Sequence, residues 1–173
     1  MELVNALKQN FPEIEFIAED LGEITPDVGI LLKESGLPGM KVLEYAFSPY
    51  EINDYLPHRT TENFICYTGT HDNSPLQLWR KQVPEEEIAF AKRYLGLNDE
   101  EGFNEGIIRG GMSCPAVLFV AQMQDWLNLG SEESRINFPG TDSGNWQWRM
   151  RVDALTDELA EKIHEMTRIY SRL

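Results

Sequence analysis

Short apolar runs alternate with segments of helical spacing along this chain. Four of the runs are continuous and end in polar residues, which is typical of buried strands in a sheet. They are residues 14–18, 40–47, 63–67 and 116–121. We therefore predict four strands, with a long polar loop over residues 48–61 between the second strand and the third.

Apolar residues spaced three or four positions apart predict helices between these strands. Thr25, Pro26 and Asp27 form a helix start, and Gly36 follows as a helix stop. Residues 98–101 resemble a further helix cap, and the glycines that follow them indicate a bend before the fourth strand. Other helices are predicted over about residues 3–7, 76–81 and 84–95, and in a terminal segment that begins near Val152.

The order of these elements indicates one α/β domain over residues 1–173, without a separate second domain. Strands that alternate with helices pair in parallel, and parallel sheets place functional residues after the carboxyl ends of their strands. A closed (β/α)₈ barrel needs eight strands and usually about 200 or more residues, whereas four strands are predicted here. A small open sheet and half of a barrel both remain open at this point.

The charge of the chain narrows its range of partners. The 173 residues include 29 acidic and 15 basic side chains, which gives a net charge of −14. Nucleic-acid binding needs clustered basic side chains, and an anionic membrane surface repels an acidic protein, so no partner of either kind is expected. Neutral substrates and basic proteins remain open.

Several features predict a cytoplasmic protein. The N-terminus lacks the basic and apolar regions of a secretory signal. The longest apolar run, residues 116–121, is far shorter than the roughly 20 residues of a membrane helix. Cys66 and Cys114 lie in apolar surroundings, so we expect buried free thiols in a reducing compartment.

Side chains able to take part in catalysis follow two of the predicted strands. Glu19 and Asp20 come after the first strand, and His71 and Asp72 come after the third. Glycoside transfer requires at least two carboxyl groups on either side of the reacting bond, one protonated and one ionised. Each pair alone is also explained by a solvated strand end or a loop hydrogen bond. A metal site is weakly supported, because no two of the three histidines have ligand spacing.

Aromatic residues near the predicted loops and strand ends favour a sugar ligand. A flat ring covers the apolar C–H face of a sugar while polar neighbours bind the hydroxyl groups. Trp79 and Trp126 lie inside apolar stretches and are predicted to belong to the core instead. The other candidates are Tyr45, Tyr67, Trp146 and Trp148.

Three sequence blocks, in order, carry a resemblance to a known family. The first contains Ile17-Ala-Glu-Asp-Leu-Gly22, Ile24-Thr-Pro-Asp27 and Gly36-Leu-Pro-Gly-Met-Lys-Val-Leu43. The second is Tyr67-Thr-Gly-Thr-His-Asp-Asn73, and the third contains Gln124-Asp125, Leu129-Gly130, Arg135-Ile-Asn137, Pro139-Gly-Thr141 and Gly144-Asn-Trp-Gln-Trp-Arg149. Together they resemble the amylomaltase family of 4-α-glucanotransferases, also called disproportionating enzymes.

The resemblance implies a (β/α)₈ barrel that transfers segments of α-1,4-glucan between maltodextrins with retention of configuration, without a cofactor or metal. By resemblance, Glu19 matches the general acid/base and Asp72 the carboxylate that stabilises the transition state. His71 matches a sugar-contacting residue, Tyr45 an aromatic residue that contacts the glucan, and Asn145 a further sugar contact.

The chain departs from the family pattern in two places. The family's nucleophile is an Asp on an earlier barrel strand, two residues after an Arg, and no such strand precedes Glu19. Arg151 and Asp153 have that spacing, but they follow the Gly-Asn-Trp block, and Asp153 is predicted to open the terminal helix. Ser74-Pro75 also stands where the family usually has Asp-Thr, which affects the loop beside Asp72.

These features predict the C-terminal half of a (β/α)₈ barrel with about four parallel strands. Without the nucleophile, the isolated chain is predicted to have no turnover. Exposed strand edges favour self-association or pairing with an N-terminal half. A non-catalytic glucan-binding module and an interaction domain for a basic partner are the alternatives.

Overall fold

Three parallel strands form the sheet of the computed structural model, which describes residues 1–22 and 24–173. The strands are β1 (Gly39–Val42), β2 (Phe64–Tyr67) and β3 (Leu118–Val120), and β2 lies between the other two. Met40 pairs with Ile65, and Ile65 pairs with Leu118. The prediction of a parallel α/β architecture is therefore confirmed.

Helices connect and cover these strands. In the described part of the chain they are α1 (Glu2–Asn10), α2 (Pro26–Ser35), α3 (Leu76–Gln82), α4 (Glu85–Leu95), α5 (Phe103–Met112), α6 (Met123–Trp126) and α7 (Asp157–Ile169). Gly36 ends α2 with a left-handed backbone at φ 65°, as the sequence predicts. Among the described residues, no helix combines the length and the apolar character needed to cross a membrane.

The prediction of a strand over residues 14–18 is wrong. These residues are described, and they lie beside β1 without forming a ladder. The Ala18 amide donates to the Pro38 carbonyl oxygen at 2.9 Å. Further along, the Met40 amide donates to a carboxylate oxygen of Asp20 at 2.6 Å. A side chain therefore takes the place of the next backbone partner, and regular pairing does not develop.

The glycine-rich segment predicted to bend is helix α5. Its glycines let neighbouring side chains approach the helix closely. A Cβ atom on Gly106 would lie 2.3 Å from a Leu97 methyl group, and one on Gly111 would lie 2.0 Å from the Phe119 ring. Helix packing at short range therefore outweighs the weak intrinsic helix propensity of glycine.

Helix α7 begins later than its apolar pattern predicts. The Thr156 hydroxyl accepts a hydrogen bond from the Leu159 amide at 3.2 Å and caps the helix just before Asp157. Val152 to Ala154 forms a separate 3₁₀ turn, and Val152 is fully exposed. Asp153 therefore does not open the terminal helix.

The main core lies between the sheet and helices α3, α4 and α5. It includes Trp79, Cys66 and Cys114, and both cysteines are buried free thiols, as predicted. Trp126 is buried in a second cluster with Ile108 and Met112 from α5, against residues of α7. The core covers one side of the sheet and leaves its carboxyl-terminal edge open to a pocket.

Candidate functional site

The carboxyl ends of the three strands meet at one edge of the sheet. A 3₁₀ turn, Leu43–Tyr45, follows β1, and residues 68–73 follow β2. The Glu44 amide donates to the Thr68 carbonyl oxygen at 3.2 Å, and the Thr68 amide donates to Val120 at 3.0 Å. These bonds hold the strand-end loops side by side, where parallel sheets place their ligand sites.

A cavity of about 470 Å³ opens at this edge. Glu19, Tyr45, His71 and Asp72 line it together, so the structure gathers four of the five residues that the sequence singles out. Tyr67 and Gln122 line the same cavity. Residues from separate segments therefore converge on one space of a size suited to sugar units.

Asp72 is held from several directions although its side chain is half exposed. One carboxylate oxygen accepts a hydrogen bond from the Asn137 amide at 2.6 Å, and the His71 ring nitrogen lies 3.4 Å from the same oxygen. The Arg135 guanidinium donates to the Asp72 carbonyl oxygen at 3.0 Å. Side chains distant in sequence thus fix both the backbone and the carboxylate of Asp72.

Asn73 shapes the loop on which Asp72 lies. Its side-chain oxygen accepts hydrogen bonds from the amide and the hydroxyl group of Thr70, both at 2.9 Å. Its amide group donates to the Tyr45 hydroxyl at 3.2 Å. The side chain of Gln122 donates to the Thr70 carbonyl oxygen at 3.0 Å. Asn73 and Gln122 together connect the turn after β1, the loop after β2 and the end of β3.

A buried carboxyl group, Asp125, lies beneath this loop. It accepts hydrogen bonds from the Thr68 hydroxyl at 2.6 Å and from the Leu76 amide at 2.7 Å. Burial raises the pKa of Asp125 to about 6, and these hydrogen bonds oppose the rise. Asp125 therefore joins the end of β2 to the start of α3, which are the two ends of the loop that carries Asp72.

Glu19 has fewer constraints than Asp72. Its side chain is exposed to solvent on the rim of the cavity. The neighbouring Asp20 is partly buried and binds the Met40 amide, which attaches this segment to β1. The position of Glu19 thus depends on its neighbour.

Asn145 is not among the residues that line the cavity. Its side-chain oxygen accepts a hydrogen bond from the Phe138 amide at 2.9 Å, and its amide group donates to the Thr141 hydroxyl at 2.9 Å. Both ends of the side chain thus stabilise a local turn. Its neighbour Trp146 reaches the site instead, with its ring centroid 4.9 Å from that of His71.

Sequence reasoning missed Asn137 and Gln122 as parts of the site. Gln122 follows the end of a strand, so the rule that selected His71 also applies to it. Asn137 belongs to a block of the family resemblance, but it is 65 residues from Asp72 along the chain, and local periodicity does not indicate that contact.

The structure shows what Ser74 contacts and where the Arg151 and Asp153 pair lies. The buried Ser74 hydroxyl donates to Gln82 at 2.7 Å and accepts from Arg135 at 2.9 Å. Ser74 thus holds the guanidinium that braces Asp72. Arg151 and Asp153 form an exposed ion pair at 3.1 Å outside the residues that line the cavity.

No group of three or more potential metal ligands assembles within residues 1–22 and 24–173. The groups that the cavity offers are carboxylates, an imidazole, amides and aromatic rings. Such groups bind sugar hydroxyls and stabilise positive charge that develops on a sugar ring.

The fold and the site define an α/β protein with a polar, carboxylate-bearing pocket at the carboxyl edge of a parallel sheet. The sequence profile described as 4-alpha-glucanotransferase matches residues 1–156. The chain therefore belongs to the 4-alpha-glucanotransferase family.

Individual relatives agree with this assignment. The 4-alpha-glucanotransferase of Clostridium butyricum is 45% identical over 173 residues, which cover 99% of this chain and 35% of the relative. The chloroplastic/amyloplastic enzyme of Solanum tuberosum is 41% identical over 174 residues, covering 99% of this chain and 30% of the relative. The chain thus spans about a third of the length of these relatives.

A solved structure shows the same arrangement. An amylomaltase from Streptococcus agalactiae, in complex with acarbose, superposes with a TM-score of 0.91 at 36% identity. The match covers 99% of this chain and 34% of the amylomaltase. The three-stranded sheet and its helices therefore match a fragment of the amylomaltase fold.

Proposed function

We propose that residues 1–173 are the C-terminal part of a catalytic domain that transfers segments of α-1,4-glucan between maltodextrins. One observation carries the proposal. Glu19, Tyr45, His71 and Asp72 come from three separate segments and line one cavity at the carboxyl edge of the sheet. The family relationship supports the same activity.

Glu19 is proposed as the general acid/base. It would protonate the departing glycosidic oxygen and later remove a proton from the incoming acceptor hydroxyl. Its exposed position on the rim gives it access to both oxygens. An acceptor sugar must then displace water, which the exposed rings of Tyr45 and Trp146 would favour by covering the sugar face.

Asp72 is proposed to remain ionised and to bind sugar hydroxyls more tightly as the ring flattens and positive charge develops. The hydrogen bond from the Asn137 side chain fixes the orientation of the carboxylate. His71 lies on the same loop, under the Trp146 ring, and would donate to the same sugar. Asn145 would contact the glucan only if its side-chain hydrogen bonds to Phe138 and Thr141 broke.

The nucleophile is proposed to come from the part of the relatives that this chain does not span. A retaining enzyme needs a second carboxylate about 5–5.5 Å from the acid/base. Asp153 does not qualify, because it is engaged by Arg151 at the surface. The attack that forms the glycosyl-enzyme intermediate therefore requires a residue outside residues 1–173.

The sheet is proposed to be part of a (β/α)₈ barrel. A groove of about 620 Å³, lined by Ile14, Ile17, Ile65 and Leu118 among others, lies against the sheet. Ile14, Ile17 and Leu118 are each about half exposed, and further strands of a barrel would cover them. Alone, the chain is expected to self-associate through this face, which sedimentation equilibrium would detect as a concentration-dependent mass.

Calorimetric titration with maltoheptaose tests the proposal. The chain should bind this glucan, and Asp72→Asn should weaken binding by about tenfold or more because a charge-assisted hydrogen bond is lost. Asp153→Asn is the matched control and should bind normally. Absence of binding by the unchanged chain would overturn the proposal.

Turnover is tested separately with maltotriose. The chain alone should form no glucose or longer dextrins, whereas co-expression with the upstream two thirds of the Clostridium butyricum relative should restore both. Glu19→Gln should abolish that activity, while Glu100→Gln should not. Products from the chain alone that disappear in Glu19→Gln would show that the nucleophile lies within this chain.

A glucan-binding module without catalysis is the second candidate, and the exposed aromatic residues favour it. Tyr45, which lines the cavity, is 44% exposed, and Trp146, which packs against His71, is 59% exposed. Saturable binding without products in the co-expressed complex would support this reading over the first.

A further inference from the structure

One buried carboxyl group next to the site has no role in the mechanism above. Glu44 lies in the 3₁₀ turn after β1, directly before Tyr45, and only 5% of it is exposed. One of its carboxyl oxygens has no hydrogen-bond partner among the described residues. A buried polar atom without a partner is costly, so a reason for its presence is required.

The unpartnered oxygen lies under the loop that carries His71 and Asp72. A Cβ atom built on Gly69 would be 2.9 Å from this oxygen. It would also be 3.0 Å from the Asn73 Cβ atom and 3.0 Å from the Gln122 amide nitrogen. Glu44, Asn73 and Gln122 therefore converge on the space beside Gly69, and Asn73 and Gln122 are the two side chains that hold Thr70.

The surroundings of Glu44 favour its neutral form. Burial, followed by the nearby carboxylate of Asp125, raises the pKa of Glu44 well above its ordinary value. The Asn73 side chain from the loop and the Arg135 guanidinium from the segment beyond α6 oppose this effect more weakly. The protonated form of Glu44 therefore persists to higher pH than in an exposed glutamate.

We propose that Glu44 is a positioning residue whose buried carboxyl group packs beside Gly69, Asn73 and Gln122 and thereby fixes the loop that carries Asp72. Only its consequence for glucan binding rests on the proposed function. Ionisation of Glu44 would place a negative charge close to that of Asp125, beside the loop. The loop would then shift, and Asp72 would lose its alignment with Asn137 and His71.

The first test follows the loop by NMR, without any glucan, in the complete 173-residue chain. The ¹³C carboxyl resonance of Glu44, assigned by its loss in Glu44→Gln, should titrate well above the ordinary range of a glutamate carboxyl group. The amide resonances of Gly69 and Asn73 should shift over the same pH range, and Glu44→Gln should abolish that shift. Glu100→Gln is the matched exposed control. The proposal would be overturned if the carboxyl resonance titrated in the ordinary range of a glutamate. It would also be overturned if the chemical shifts of the loop amides did not change as Glu44 titrates.

The second test measures maltoheptaose affinity against pH. The unchanged chain should lose affinity by about tenfold as Glu44 ionises, while Glu44→Gln should bind equally well below that range and lose the alkaline decline. Glu44→Ala should bind about tenfold more weakly at every pH. If Glu44→Ala does not fold, the comparison with Glu44→Gln still decides. An identical pH profile in Glu44→Gln and the unchanged chain would overturn the proposal.

The two tests separate this inference from the proposed function. If maltoheptaose binds to no variant while the Gly69 and Asn73 amides follow the Glu44 titration, the proposed function fails and the positioning role stands. If glucan binds normally and the loop amide resonances do not shift as Glu44 titrates, the positioning role fails and the proposed function stands.

Discussion

The two carboxylates of the pocket are held in different ways. Asp72 receives a hydrogen bond from Asn137, its backbone is braced by Arg135, and the loop beneath it is fixed by Asn73. Glu19 is exposed, and its segment is attached to β1 through the carboxylate of Asp20. The orientation of Asp72 is therefore specified by contacts over much of the chain, whereas the position of Glu19 depends on a few local bonds.

This difference matches the proposed roles. A carboxylate that stabilises charge in the transition state must be aligned before the reaction begins. An acid/base that serves first a leaving group and then an acceptor benefits from some freedom and from access to both. Mutations of the residues that hold these two carboxylates should therefore separate effects on stability and on glucan binding.

The largest expected effect is on stability, at the buried base of the Asp72 loop. Asp125→Ala should lower the free energy of unfolding by about 4 kcal/mol, because it leaves two buried donors unpaired at about 1–3 kcal/mol each. Urea unfolding measures the change. Asp99→Ala, at an exposed position, is the control and should cost little; a similar cost for both variants would contradict the role assigned to Asp125.

The pH dependence of stability provides the next test. The pKa of Asp125 is raised to about 6 in the folded chain, against about 3.9 for an unfolded Asp. Between these values the folded chain keeps a proton that the unfolded chain has lost, so the contribution of Asp125 declines as pH rises through about 6. Relative to Asp125→Asn, the unchanged chain should lose about 3 kcal/mol between about pH 4 and pH 7. A constant difference between the two would refute the expectation.

A smaller effect is expected where Asp72 meets its amide partner. Asn137→Ala removes the hydrogen bond to the carboxylate, worth about 1.5 kcal/mol, and should weaken maltoheptaose binding by about tenfold. Asn5→Ala is the control on the exposed face of α1. Unchanged affinity in Asn137→Ala would mean that Asp72 keeps its orientation without this partner.

The smallest effect concerns the segment that carries Glu19. Asp20→Ala should cost about 1 kcal/mol and accelerate hydrogen exchange at the Met40 amide, because the acceptor is lost. Asp20→Asn retains a side-chain oxygen and should preserve the protection of this amide. The Asn73 amide should exchange equally in both variants. If it does not, the two carboxylate segments are coupled more tightly than the structure indicates.

The elements that could be predicted from sequence are those encoded by neighbouring residues. Helix α2 begins after Thr25 and ends at Gly36, and β2 follows its apolar run, as local patterns require. The placement of His71 and Asp72 at the pocket also follows, because parallel strands align their carboxyl ends. Tyr45 is predicted inside the second strand instead, and it reaches the pocket because that strand ends at Val42 and a 3₁₀ turn follows.

The features that sequence reasoning missed depend on contacts between distant segments. The residues before Glu19 have a strand pattern, yet the Asp20 side chain occupies the Met40 amide and prevents a ladder. The contact between Asn137 and Asp72 joins residues 65 positions apart. The convergence of Glu44, Asn73 and Gln122 beside Gly69 likewise joins distant segments, which local periodicity does not reveal.

The close approach of Phe119 to α5 has a consequence for protein engineering. Replacing a glycine inside a helix with alanine is a common way to improve heat resistance, with a gain of about 0.5–1 kcal/mol. Gly29, in α2, has open space around it and suits this strategy. At Gly111 the added methyl group would overlap the Phe119 ring, so the same replacement would push the helix away from the sheet. Thermostabilised variants of this chain should therefore be sought in α2, with the glycines of α5 left unchanged.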